Sequence, residues 1–330
     1  MGNRVTELFK IERPILEGAM AYACDAKLAK AFCDAGGLGL LGMNCTIVDK
    51  NEYDPIKNAE NMRGEIRKLR SMTDKPFAVN YIPPMKGTDP KSNYSGPFKQ
   101  LIIEEKVPVV VIVGDFNDGM IAPEIEDFKN AGVTVVYREA CCTVQTCVDA
   151  VKAGADAIIV TGCEAGGHNS KYNMSLACIL PQVTDVLTDV PIIAAGGIVG
   201  EKSARAAVAM GADGVYIGTA IMVAEEARMH PNFKQAIIDA QGEDIVTWRA
   251  STARMNTTNN YLGRVCSALA AGGASPYEIA QHYTGDHFIK AMMQGDVEHG
   301  CVTLSGACGA IKEIRSTKAI LDDIAKGMGY

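Results

Sequence analysis

No apolar stretch in this 330-residue sequence is long enough to cross a bilayer. The longest, residues 107–113, falls far short of the ~20 residues a spanning helix needs. No basic run offsets the formal charge of −7, which comes from 39 acidic against 32 basic side chains. That balance excludes a nucleic-acid binder. It does not exclude one bound phosphate, because nearby backbone amides outweigh a distant net charge. No CxxC pair occurs among the 11 cysteines, and no HExxH among the 5 histidines. Zinc and iron–sulfur sites want ligands at such short spacings, so no metal site is expected. The opening residues, MGNRVTELFKIERP, are polar and lack an apolar h-region, which predicts no signal peptide. An odd cysteine count without a secretory signal reads as reduced, mostly buried thiols of a cytoplasmic protein. No low-complexity linker is present either, so a freely moving second domain is not expected.

What the sequence does have is enough apolar chain for a large core. It is 48 % hydrophobic, 22 % charged and 6 % aromatic, which rules out a disordered or fibrous protein. Eight short, almost continuously apolar runs fall at 14–20, 38–42, 77–83, 107–115, 133–139, 157–162, 191–198 and 214–219. Continuous rather than alternating apolar character marks a parallel sheet covered on both sides. Amphipathic helical segments separate these runs, among them 25–35, a helix opening at Asp54-Pro55, 143–153 and 201–210. Eight strand–helix units over about 230 residues predict an α/β fold, a TIM (β/α)8 barrel over residues 1–240. Residues 241–330 read as a C-terminal helical cap packed on the barrel mouth, with strand character only at 301–304. Ser275-Pro276-Tyr277-Glu278 is a capping box with proline at the first helical position.

Gly37-Leu-Gly39-Leu-Leu-Gly42 satisfies GxGxxG, but a helix precedes it and its apolar residues are the strand. A dinucleotide fingerprint needs the opposite order, so these glycines read as a tight helix-to-strand turn. Two other glycine groups end the seventh and eighth runs, Gly196-Gly197 and Gly218-Thr219. The loops after those strands are where a barrel holds phosphate, since bare amides and a helix N-terminus both favour an anion. After the sixth run comes Gly162-Cys-Glu164-Ala-Gly166-Gly167-His168. Its paired glycines let the chain pass close under a flat ligand, and His168 is the candidate proton-handling group. Glu164 reads equally as a ligand or backbone anchor and as a turn cap. Gly18-Ala19-Met20-Ala21 and Asn80 end the first and third runs and leave room for a planar ring. From the loops alone, a sugar-phosphate barrel enzyme and a cofactor-binding one remain open.

Taken together, these segments resemble the flavin-dependent nitronate monooxygenase (2-nitropropane dioxygenase) family, whose superfamily includes the flavin-dependent enoyl-ACP reductase II. The resemblance rests on 14–20 with Ala35-Gly-Gly-Leu-Gly39, on 70–80, on 162–168 and on 190–212. Gly18-Ala-Met-Ala-Tyr22, Gly295-Asp-Val-Glu298 and Lys312-Glu-Ile314 are closer to the reductase branch. The resemblance implies FMN held noncovalently, with Ala19, Met20 and Asn80 lining its ring system and Gly166 and Gly167 running close to it. Glu164 is included among the cofactor-contacting residues. Gly196, Gly197, Gly218 and Thr219 would hold the phosphate, and His168 matches the catalytic histidine. It implies NAD(P)H-dependent reduction of an activated C=C in an enoyl thioester or enone, with NADH or NADPH as donor. The alternative is oxidation of alkyl nitronates by O2. A homodimer is implied by the same analogy. Three positions depart from the pattern: Thr161, where glutamine or glutamate is usual; Ser305-Gly306, where the reductases carry Gly-Gln; and Asn169-Ser170. All three fall on the substrate side of the expected site.

Overall fold

The computed structural model describes residues 2–20, 22–47, 54–84, 86, 95–250 and 253–330. Eight parallel strands form one sheet: β1 (Ile15–Glu17), β2 (Gly39–Leu41), β3 (Phe77–Tyr81), β4 (Val109–Gly114), β5 (Thr134–Glu139), β6 (Ala157–Thr161), β8 (Ile192–Ala195) and β9 (Gly214–Ile217). Their order is β1-β9-β8-β6-β5-β4-β3-β2. The ends of that list meet: Leu16 bridges Leu38, and the Glu17 amide donates to the Leu38 carbonyl at 3.0 Å. The sheet is therefore a (β/α)8 barrel, and each expected apolar run supplies one strand. Strands such as VVVIVG at β4 and AIIVT at β6 are buried along most of their length, inward against the barrel core and outward against the helical ring.

The first helices start where local capping chemistry starts them. Asp25 accepts from the Leu28 amide and Asp54 from the Lys57 amide, with Pro55 at the first helical position. The glycines of the GxGxxG segment serve packing. A Cβ on Gly39 would lie 2.3 Å from the Ala29 carbonyl oxygen, so glycine lets helix Ala26–Asp34 close onto β2. No disulfide is formed; nine cysteines are buried, Cys163 is half-buried and Cys178 exposed. No helix among the described residues is long and apolar enough to cross a membrane.

The C-terminal third departs from the expectation of helices alone. It opens with a hairpin, β10 (Ile245–Ala250) and β11 (Ala253–Thr258), to which β7 (Gly167–Asn169) adds as an antiparallel third strand. The strand expected at 301–304 is reduced to one bridge, Thr257 to Thr303. Helices Tyr261–Ala271, Pro276–His282 and Gly285–Met292 complete this unit. It has its own small core of Trp248, Met255, Leu262, Cys266, Ile279, Tyr283 and Cys301.

The last helix, Thr317–Met328, is not part of that cap. It packs against helices Glu201–Ala209 and Ala26–Asp34, completing the ring outside β9 and β1. Leu321 and Ile324 join the barrel core, and Lys326 pairs with Glu201 at 2.7 Å. A Cβ on Gly327 would sit 2.1 Å from the Glu201 carbonyl oxygen, so glycine sets this close helix approach. The expectation that everything from 241 to 330 caps the mouth thus has to return this helix to the barrel.

Glu17 closes the weakest seam of the barrel. It is fully buried, and its Oε2 accepts from the Leu40 amide at 2.9 Å. Its Oε1 has no hydrogen-bond partner. Burial pushes the carboxyl up to about 8, so the folded state carries a proton that the unfolded chain releases near the ordinary carboxyl value of 4.5. The folded state then binds more protons between those values, and stability falls as pH rises through that window. Glu17→Gln should remove the dependence. The variant is expected to melt about 2–4 °C above the parent at pH 9 and close to it at pH 5. Thermal denaturation at the two pH values checks this, and an equal difference at both would refute it.

Candidate active site at the barrel mouth

The site residues singled out from the sequence lie at or just beyond the C-terminal ends of barrel strands, except Gly167 and His168, which belong to β7. Ala21, quoted with them, lies outside the described residues. Because β9 lies between β1 and β8, the turns after these strands touch. A Cβ on Gly18 would be 2.7 Å from the Ile217 carbonyl oxygen, and one on Gly218 would be 3.8 Å from the Met20 sulfur. The half-buried Ala19 donates its amide to the Tyr216 hydroxyl. Asn80 is buried at the end of β3, with its Nδ2 donating to the Val111 carbonyl at 3.2 Å.

The turn after β8 is shaped for close approach. Gly196 and Gly197 have φ of 99° and 72°, which L side chains rarely adopt. The amides of Gly197, Gly218 and Thr219 donate to no protein acceptor among the described residues. Gly218 precedes the short helix Thr219–Met222. Thr219 is buried, and its Oγ1 accepts from the Ser305 amide at 3.0 Å, leaving the hydroxyl proton to donate. One of the three departing segments is thereby placed against the glycine turns.

Residues 162–169 leave β6 and enter the cap sheet as β7. Glu164 does not reach into the mouth. Both its carboxylate oxygens accept from the Leu176 amide, at 3.1 and 3.0 Å. Ser175, at the start of that helix, makes no side-chain cap, so Glu164 caps it from outside. Asn256 on β11 donates to the carbonyls of Cys163 and Ala165, at 2.9 Å each. The Gly306 amide donates to the Glu164 carbonyl at 2.9 Å. A Cβ on Gly166 would lie 2.6 Å from the Leu304 carbonyl carbon, which keeps this loop free of side chains.

His168 pairs with Met255 in the cap sheet. Its ring stands 6.2 Å from that of Tyr283 and 6.3 Å from that of Phe288. Its ring is open on the mouth side and packed by protein on the others. That enclosure, with the Arg138 charge adding to it, lowers the imidazole from 6.5 to about 4. Arg138 itself escaped the sequence reading. It sits half-buried near the end of β5, its Nε donating to the Thr161 hydroxyl at 3.2 Å. It forms no ion pair with a carboxylate among the described residues. The available signal was one charged side chain at the C-terminal end of an apolar strand, where a barrel places its working groups. The neighbouring Glu139 is buried and accepts from the Cys141 amide at 2.7 Å and the Tyr137 hydroxyl at 3.0 Å. It ties down the turn that follows Arg138.

A family model described as nitronate monooxygenase matches residues 3–327. A probable nitronate monooxygenase of Staphylococcus aureus is 26 % identical over 331 residues, covering 90 % of this chain and 89 % of the relative. Among solved structures, FabK from Thermotoga maritima is 31 % identical with a TM-score of 0.85, over 100 % of this chain and 96 % of that one. A nitroalkane oxidase from Streptomyces ansochromogenes is 25 % identical with a TM-score of 0.79, over 99 % of this chain and 98 % of that one.

The glycine turn after β8 makes a direct test. Gly197→Val forces a branched side chain into a left-handed backbone position and crowds the free amides. The variant is expected to keep its far-ultraviolet circular dichroism and to lose most of its bound flavin. Chromophore-to-protein ratio after gel filtration measures this; a full flavin complement would remove the turn from cofactor binding.

Proposed function

The chain belongs to the nitronate monooxygenase family, and from that premise we propose that it is a reductase, taking hydride from NADH or NADPH and passing it to an activated C=C of an enoyl thioester or enone. It is an FMN-dependent oxidoreductase. The observation that carries the reductive reading is the likeness to FabK, which at 31 % identity runs the whole length of the chain, cap included. Oxidation of alkyl nitronates by O2 is the second reading, supported by the S. aureus relative and the nitroalkane oxidase structure.

The residues present fit a phosphate-tailed flavin. Gly197, Gly218 and Thr219 offer amides with no protein acceptor among the described residues, Thr219 adds one hydroxyl proton, and Gly196 keeps the turn open, the donor set an anionic tail requires. Ala19, Met20 and Asn80, with Gly166 and Gly167, would line the ring system. Glu164 supports this site through Leu176 rather than by touching the cofactor. When bound, FMN supplies the two-electron hydride relay that side chains lack.

His168 shapes the substrate side. With its imidazole lowered to about 4, the ring is neutral at pH 7. It therefore serves as a neutral hydrogen-bond donor that orients and polarises a substrate carbonyl, not as a reservoir of protons. His168→Ala is expected to retain FMN and lose roughly 10²–10³ in turnover, the cost of one hydrogen-bond donor, while His168→Gln, which keeps an N–H, recovers part of it. The contribution of His168 to kcat should be flat from pH 6 to 8. A kcat that instead follows a group near 6.5, absent in the Gln variant, would overturn the neutral-donor role. The reaction itself is tested by mixing oxidised enzyme anaerobically with NADH, NADPH or a nitronate. Bleaching of the flavin by a nicotinamide is expected, and bleaching by nitronate alone would select the second reading.

A further inference from the structure

Phe288 packs against both the barrel core and the small core of the cap. It stacks on Tyr22, with ring centroids 6.2 Å apart and planes 28° from parallel. It meets Tyr283 edge-on at 5.4 Å and His168 at 6.3 Å. Tyr22 rises from the rim turn after β1, while Phe288 descends from cap helix Gly285–Met292. The two units touch closely here, since a Cβ on Gly285 would lie 3.2 Å from the Tyr22 hydroxyl. Tyr22 and Phe288 are both half-buried, and the imidazole is open on the mouth side. A molecule approaching His168 therefore passes aromatic rings on the cap side.

Such rings favour flat, conjugated groups stacked or set edge-on, and their electron-rich faces do not attract carboxylates. The cation of the mouth, Arg138, is elsewhere, on the barrel wall against Thr161. We propose that Tyr22 and Phe288 form a specificity slot selecting substrates whose activated C=C is conjugated to a flat apolar group, the class of aryl enones. This rests on the reductive reading above and names the substrate class for that site.

The test is binding without turnover. Oxidised, flavin-loaded enzyme, free of nicotinamide, is dialysed to equilibrium against benzylideneacetone or against its cyclohexyl counterpart, which has the same reach but no flat ring. The parent protein is expected to bind the phenyl compound on the order of 10-fold more tightly. Phe288→Leu should abolish that preference by weakening the phenyl compound alone, and Phe288→Tyr, which keeps the ring, should preserve it. Equal binding of the two compounds by the parent, or a preference that survives Phe288→Leu, would overturn the slot. Reduction of the same preparations by NADH is recorded separately. Failure there strikes the reductase reading, whereas failure of the binding preference strikes only the slot.

Discussion

Residues 162–169 belong to two sheets at once, and the site depends on how tightly that span is held. It leaves the barrel at β6 and joins the cap as β7, so one short stretch carries both Gly166 and Gly167 at the rim and His168 above them. Three separate elements grip it: the Leu176 amide on the Glu164 carboxylate, the Asn256 side chain on two carbonyls, and the Gly306 amide on a third. A loop held only at its ends would let His168 wander by more than the fraction of an ångström that hydrogen-bond catalysis tolerates. Charged and buried hydrogen bonds of this kind are among the stronger ones available to a protein.

The electrostatics of the mouth oppose those of the whole molecule. The chain carries a net charge of −7, yet at the mouth the amides left without a protein acceptor among the described residues and the Arg138 guanidinium present positive potential, the sign the proposed cofactor phosphate requires. That same guanidinium, with the crowding around His168, keeps the imidazole neutral. A neutral imidazole beside a fixed cation can donate a hydrogen bond without competing for the cofactor's negative charge. Thr161 matters here because it offers Arg138 a hydroxyl rather than a carboxylate. A glutamate there would neutralise the guanidinium; a threonine leaves its charge available.

How much of this was visible beforehand depended on the range of the interactions involved. The barrel strands were readable because burial on both faces writes itself into consecutive apolar residues. The glycine turns were readable because free amides and close approach allow almost no other residue. The hairpin β10–β11 was not. Its residues Thr247, Arg249, Asn256 and Thr257 are polar on both faces of the hairpin, and that polarity conceals the alternation that announces a strand. Glu164 showed the opposite difficulty. Its position beside the glycines suggested a ligand, and only the path of the chain after residue 170 revealed that its carboxylate caps a helix.

Local chemistry in the sequence alone determined the parallel barrel, the helix starts at Asp25, Asp54 and Ser275, and the glycine-rich turns at the rim, because each is settled by neighbouring residues and the burial they imply. Tertiary structure alone decided that the final helix closes the ring against Ala26–Asp34, that β7 brings His168 under Tyr283 and Phe288, and that Arg138 faces Thr161. Those contacts join residues tens to hundreds of positions apart. Their geometry follows from how the barrel closes and how the cap docks on it, which no local pattern encodes.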